Sequence, residues 1–259
     1  MFAKEIAIQY IKLFYILFKH WFRDLFSSFT NGSPLKSLTS EIILITEAAS
    51  GLEKVNNTRV ANELNNAMKC DLTNREGIYE CARKVQEKIG HVTIVINNTG
   101  IVSGKQLVDC SDESIQRTFD VNILKAFLPS MLDNNHGHIV TIVSGAGLTG
   151  ASGLVDYCSS KFAAVGLHEA LTLKKTDIKT TVVCPSFIDT DIVLLPMLKP
   201  DDVCDQIIEA IRKDQHMLLI PKVLGFRLLL KIISSTAVQI EAQGVTGLYH
   251  SMDTFVGRH

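Results

Sequence analysis

Short apolar runs recur along this chain at intervals that few folds accommodate. Glu41-Ile42-Ile43-Leu44-Ile45-Thr46, Val92 to Ile96, Ile139-Val140-Thr141-Ile142-Val143 and Thr180 to Cys184 are too short for helices and show little polar alternation. Runs of that kind read as strands covered on both faces, which points to a parallel sheet. Helical stretches lie between them. Thr73 and Glu76 make a capping-box pair ahead of Ile78, Cys81, Val85 and Ile89, a buried face that Gly90 ends. A second stretch opens at Ser111 and carries Ile115, Phe119, Val121 and Asn122; a third runs through Tyr157, Phe162, Val165, Leu167 and Leu171. Alternation at this spacing predicts an α/β fold with a doubly wound parallel sheet and a site at the carboxyl ends of the strands. Asn97, Ser144 and Pro185 occupy such ends, Pro185 breaking its strand. Met217 to Ile233 is apolar, with Arg227 and Lys231 four apart, and reads either as a last strand plus a membrane-facing helix or as core.

Tyr157 and Lys161 carry the chemistry. Four apart, they share one helix face with about 6 Å between β-carbons. A free tyrosine is only on the order of 0.1% phenolate at neutral pH and makes a poor base. A cation within reach lowers that pKa by about one to three units, and Lys161 could supply it. Ser144, thirteen residues ahead at a strand end, could donate to a substrate oxygen held between itself and Tyr157. The plain alternative is a surface tyrosine on an amphipathic helix.

Composition narrows the rest. The 259 residues are 46% hydrophobic and 20% charged, enough for one α/β domain with a full core. A net charge of −1 leaves no basic footprint for nucleic acid. Six cysteines, at 70, 81, 110, 158, 184 and 204, are widely spaced in mostly apolar settings and read as thiols in a reducing compartment. His136 and His138 belong to no metal-binding pattern, and no metal is expected. Residues 1–30 are apolar and aromatic, yet Lys12, Lys19 and Arg23 interrupt them, so they fall short of a spanning helix. Glu5, Gln9, Lys12, Lys19, His20, Arg23 and Ser27 fall in one stripe of a helical wheel, as in a helix lying in a membrane interface; a helix packed on the domain is the alternative. Residues 31–40, with Asn31-Gly32-Ser33-Pro34, read as a linker to a domain over 41–259.

Together these pieces resemble the short-chain dehydrogenase/reductase family. The likeness rests on Asn97-Asn98-Thr99-Gly100, Asp120-Val121-Asn122, Ser144, Tyr157 and Lys161, and covers roughly residues 41–259. Val155-Asp156-Tyr157-Cys158, Lys161-Phe162-Ala163-Ala164, Val183-Cys184-Pro185 and His250-Ser251-Met252-Asp253 are similar to the membrane-associated family 16C group, which includes epidermal retinol dehydrogenases and 17-beta-hydroxysteroid dehydrogenase-like enzymes. The resemblance implies a Rossmann-like domain binding NAD or NADP and interconverting an apolar alcohol and its carbonyl. It makes Tyr157 the general acid/base, Lys161 its cationic partner and holder of the nicotinamide ribose, Ser144 the group that polarises the substrate oxygen, and Asn122 the holder of a linking water. Gly51, Asp71, Asn98, Gly100 and, more weakly, Thr190 would contact the nucleotide. Endoplasmic reticulum or lipid-droplet surfaces and a homo-oligomer are implied as well.

The chain departs from that pattern in its first half. The family's glycine-rich turn stands here as Thr46-Glu47-Ala48-Ala49-Ser50-Gly51-Leu52-Glu53, with glutamates at two of three glycine positions. Glycine serves there because the backbone must approach the pyrophosphate. Residues 46 to 71 are also too few for two strand-helix-strand crossovers, which need about 50 to 60 residues. Asp71 lies twenty residues past Gly51, the distance of a ribose-binding acid. Cys70-Asp71-Leu72-Thr73 ahead of a capped helix nonetheless matches the adenine-side strand better, so part of the first βαβ unit is expected to be missing. A catalytically impaired, membrane-bound relative acting as a binding partner is therefore the alternative function, and a truncated product that barely folds a third possibility.

Overall fold

The computed structural model describes residues 35–46, 75–98, 126–151, 153–173, 177–186 and 198–245. The chain divides into two compact units, Met1–Ser37 and Leu38–His259, and every element below belongs to the second. The expected interfacial helix over 1–30, the 47–53 turn with Gly51, and Asp71, Thr73, Gly100, Asn122 and Thr190 lie outside the described residues.

Five strands form one parallel sheet in the order β1 (Ile43–Ile45), β2 (Ile94–Asn97), β3 (Gly137–Ile142), β4 (Ile178–Pro185) and β5 (Met217–Ile220). Register fixes which side chains share a face. Ile43 pairs with Ile94, Ile94 with His138, Val140 with Thr181, and Val183 with Leu218. Paired residues of a parallel ladder point the same way, and alternate residues point oppositely. One face therefore carries Ile43, Ile45, Ile94, Ile96, Val140, Val183, Leu218 and Ile220. Against it pack Val203, Ile207, Ala210 and Ile211 of α4 (Pro200–Arg212). The other face carries Leu44, Val95 and Ile139, covered by Cys81 and Val85 of α1 (Arg75–Lys88) and by Leu128, Met131 and Leu132 of α2 (Leu128–Asp133). Farther along, Val143, Val182 and Cys184 meet Ala164 and Val165 of α3 (Val155–Leu173).

The sheet is thus covered on both sides, as the apolar runs predict. The first three connections place a helix on the α3 face. The connection from β4 to β5 advances the sheet in the same direction but sends α4 across the opposite face, so its hand is reversed. Right-handed crossovers are the strong rule, which makes this last one an exception.

Polar side chains inside the sheet are paired. Thr181 Oγ1 donates to the Gln215 carbonyl at 2.7 Å, which leaves it to accept from His138 Nε2 at 2.8 Å. On the other face His168 of α3 shares a 2.6 Å hydrogen bond with Thr141.

Two boundaries differ from the sequence reading. Pro185 closes β4 in register with Ile220 instead of breaking the strand, because the next bond to β5 comes from Ser186 N–H to the Ile220 carbonyl at 2.7 Å. Met217–Ile233 resolves into β5 and a separate helix, α5 (Leu224–Ile233), most of whose apolar side chains are exposed, so the core reading fails for the helical half. A short helix, α6 (Thr236–Val245), follows.

Candidate active site

The site is built where β3 hands over to α3. Val143 N–H still bonds across to β4, at 2.7 Å from the Val183 carbonyl, and the chain then turns sharply at Ser144. Ser144 has φ 132° and ψ 159°, a region populated almost only by glycine and costing other residues about 1–3 kcal/mol. It caps a single 3₁₀ turn, Gly145–Gly147, accepting from Ala146 N–H at 3.2 Å. The turn presses on the helix it leads into: a β-carbon at Gly147 would stand 2.3 Å from Val143 Cγ1 and 3.0 Å from the Lys161 carbonyl oxygen.

Helix α3 then presents Tyr157 and Lys161 toward this turn. The Ser144 hydroxyl stands close enough to the Tyr157 phenol to pull its pKa down. Lys161 is buried; its Nζ lies 5.4 Å from the centre of the Tyr157 ring and donates to the Ile142 carbonyl at 3.4 Å. Ser144, Tyr157 and Lys161 are thus brought together at the end of β3. The electrostatic balance differs from the sequence expectation. Burial pushes the Tyr157 phenol above its ordinary pKa, and the opposing influence is the Ser144 hydroxyl. In this geometry the ammonium is turned to the Ile142 carbonyl, so burial prevails over any lowering by Lys161.

The neighbouring strand ends add a polar clip. Thr46 Oγ1 donates to Asn97 Oδ1 at 3.3 Å and accepts from Asn98 N–H at 3.1 Å, joining the ends of β1 and β2. Thr46 enters the sequence reading only as the end of a strand and the start of a turn; its reach to Asn98 depends on strand pairing across 52 positions and left no local signal. Asp156 was likewise not singled out. It is buried beside Tyr157, and both its carboxylate oxygens lack a hydrogen-bond partner among the described residues. Its place in the first turn of α3 gives it the positive end of the helix dipole as partial compensation.

A phenol, a hydroxyl and an ammonium converging at strand carboxyl ends form a donor set that fits a nicotinamide ribose and a substrate oxygen.

Comparison with known proteins places this arrangement. Residues 37–194 match the short chain dehydrogenase family. The chain is 38% identical to human epidermal retinol dehydrogenase 2, covering 86% of this chain and 87% of that one. It is 39% identical to human estradiol 17-beta-dehydrogenase 11, over 74% and 78%. The retinol dehydrogenase alignment spans 270 positions yet takes in about 223 residues here, 86% of 259, so more than forty positions have no residue in this chain. Among solved structures, a Burkholderia phymatum short chain dehydrogenase/reductase in complex with NAD superposes with a TM-score of 0.65 at 20% identity, covering 80% of this chain and 97% of that one. A Burkholderia cenocepacia short chain dehydrogenase in complex with NADP gives 0.66 at 18%, covering 80% and 99%. These two likenesses show the fold. The chain belongs to the short-chain dehydrogenase/reductase family.

Proposed function

We propose that this protein is an NAD(P)-dependent oxidoreductase that interconverts a hydrophobic alcohol, retinol-like or hydroxysteroid-like, and its carbonyl. The observation that carries the reading is the Lys161 ammonium held 5.4 Å from the centre of the Tyr157 ring, with the Ser144 hydroxyl acting on the same phenol. Ser144 orients the substrate oxygen; its strained backbone fixes the hydroxyl at the strand end. In oxidation Tyr157 accepts the alcohol proton, and in reduction it returns one to the carbonyl oxygen. NAD(P), when bound, supplies the hydride acceptor or donor. Lys161 binds the ribose and stabilises the phenolate, a role that needs its ammonium to leave the Ile142 carbonyl. Its four-carbon stem allows that movement. Asn122 holds the linking water, and Gly51, Asp71, Asn98, Gly100 and Thr190 contact the nucleotide.

The substrate class follows from relatives named for retinol and estradiol. The arrangement we favour is residues 1–30 as an interfacial helix on endoplasmic reticulum or lipid-droplet membranes, 31–40 as linker and 41–259 as a dehydrogenase domain that self-associates. Among the described residues no helix is long and apolar enough to cross a membrane. The short stretch from Thr46 to Asp71 supports loss of part of the first βαβ unit, and the more than forty alignment positions without a residue here are enough to account for it.

A second reading, a catalytically impaired membrane-bound partner protein, is favoured by Glu47 and Glu53, which stand at two glycine positions of the family's phosphate-binding turn. Thermal unfolding of the full chain with NAD and NADP separately distinguishes the two. Nucleotide at a hundred times its dissociation constant adds about 2.7 kcal/mol, a rise of several degrees. A rise with one nucleotide, followed by retinol or sterol turnover that Tyr157→Phe reduces at least about a hundredfold, supports the enzyme. Cooperative melting with no shift leaves the impaired relative.

A further inference from the structure

The turn that Ser144 caps is closed by its own backbone at the start and by a distant side chain at the end. Gly147 N–H donates to the Ser144 carbonyl at 3.0 Å, and the N–H groups of Leu148 and Thr149 donate to the Gly145 carbonyl at 3.0 and 3.1 Å. The Leu148 carbonyl is taken from elsewhere in the chain. Lys231 Nζ, in the last turn of α5 and 83 positions away, donates to it at 2.6 Å. The same ammonium lies 5.0 Å from the ring centre of Phe162, the residue after Lys161 on α3. Lys231 thus reaches both walls of the candidate site, the turn and the catalytic helix.

The rest of α5 gives this lysine a fixed base. Leu224 is the one buried side chain of the helix, and a β-carbon at Gly225 would stand 3.4 Å from Leu219 Cδ1. Leu219 and Leu148 pack on the same apolar cluster against α3. From behind, Gln239 of α6 donates to the Lys231 carbonyl at 3.0 Å. The residue is held at its backbone as well as at its head. Such a hold matters at this place because Ser144 sits at φ 132°, and a strained backbone persists only when its surroundings over-determine it. The bond from Val143 N–H to the Val183 carbonyl fixes the strand side, and the contact of Gly147 with α3 fixes the middle. Lys231 fixes the far end with a charge-assisted bond, a kind roughly twice as strong as a neutral one.

We propose that Lys231 is a positioning residue of the candidate site: by holding the Leu148 carbonyl it keeps the 144–148 turn on α3 and so fixes the Ser144 hydroxyl beside Tyr157. It acts through Ser144 and touches no reacting atom. The consequence for catalysis rests on the function proposed above, and the hold on the turn does not.

The test compares the full parent chain with Lys231→Met, which keeps the stem and loses the ammonium, and Lys231→Arg, which keeps a cation. Amide hydrogen exchange read by mass spectrometry should be at least about tenfold faster at Gly147, Leu148 and Thr149 in Lys231→Met, the factor a hydrogen bond to a charged group is worth, with β3 and β4 unchanged. Lys231→Arg should exchange like the parent. In retinol or sterol turnover, kcat should fall about tenfold or more in Lys231→Met while KM for the nucleotide stays within about twofold, and Lys231→Arg should recover most of the loss. A Lys231→Met chain that did not melt cooperatively would be replaced by Lys231→Gln, whose shorter amide does not reach the carbonyl. Unchanged exchange in the turn, or a rise confined to α5 and α6, would overturn the proposal and leave Lys231 an anchor of those helices. Faster exchange in the turn with undiminished turnover would overturn it too, since Ser144 would then keep its place without the tether. A parent chain without turnover would defeat the function proposed above, and exchange alone would then decide whether Lys231 holds the turn.

Discussion

Gly147 offers the sharpest test of how the site is held. A methyl group there meets Val143 Cγ1 at 2.3 Å, the Lys161 carbonyl oxygen at 3.0 Å and its carbonyl carbon at 3.2 Å. Carbon atoms in contact settle at about 3.5–4.0 Å, so more than about 1 Å must be found at Val143 and several tenths at the backbone of α3. Val143 has nowhere to go. It is buried and packed with Ala164, Val165, Val182 and Cys184, and interiors of this kind leave few voids. Overpacking costs about 1–3 kcal/mol, and pressure on a helix backbone puts Gly147→Ala near the upper end. For a chain of this size about 2 kcal/mol or more lowers Tm by roughly 4–12 °C. Gly166→Ala, in the same helix, is the matched control. Nothing lies within 4 Å of its added carbon, so helix propensity dominates and the change stabilises by up to about 1 kcal/mol, raising Tm by roughly 1–4 °C. Calorimetric melts of the two variants should move in opposite directions. If Gly147→Ala melted within about 1 °C of the parent while Gly166→Ala rose, the close packing of the turn on α3 would be refuted.

Ser144 and His168 provide two further tests. Ser144→Gly and Ser144→Ala both delete the hydroxyl, but only glycine relieves φ 132°. After its larger unfolded-state entropy is allowed for, Ser144→Gly should be more stable than Ser144→Ala by about 1 kcal/mol in urea titration. Equal stability would mean that the backbone there is unstrained. Burial lowers His168 from its ordinary 6.5 to about 4, so between those values the unfolded chain holds the extra proton and stability falls as pH falls. The loss across that window is about 3 kcal/mol, and the difference between the parent and His168→Gln should shrink by that amount from pH 7 to 4. A difference independent of pH would show that His168 titrates normally in the fold.

What the sequence disclosed tracks what is local. Each apolar run became a strand within a few residues, because burial on both faces leaves a mark on every position. Tyr157 and Lys161 were legible because one helix sets their spacing, and Ser144 because it ends an apolar run. The α4 helix also carried signals that were not read: Pro200 at its start, Asp201 and Asp202 in its first turn, Arg212 in its last. Long-range pairings left none. Nothing near Thr46 announces Asn98, and nothing near Lys231 announces Leu148, 83 positions away. The direction of the Tyr157 shift was hidden for a similar reason. Spacing gave the distance to a cation, whereas burial, which outweighs it, is a property of the assembled fold.

Stability and cofactor affinity are separable in such a chain. The packed clusters under the sheet are assembled from β1–β5 and α1–α4, on residues outside the 47–53 turn. In the position that the family resemblance gives that turn, a glutamate about 6 Å from a phosphate charge costs on the order of 2–3 kcal/mol at an effective dielectric of 20, about a hundredfold in affinity. Replacing both with Glu47→Gly and Glu53→Gly should therefore tighten NAD or NADP binding by up to about ten-thousandfold while the melting temperature without nucleotide barely moves. Isothermal titration beside thermal melts separates the two effects. Tighter binding at constant stability would mean that the catalytic half stands ready and that two carboxylates hold the affinity down. Unchanged binding would mean that the deficit lies in the residues this chain lacks relative to its relatives, which no substitution can restore.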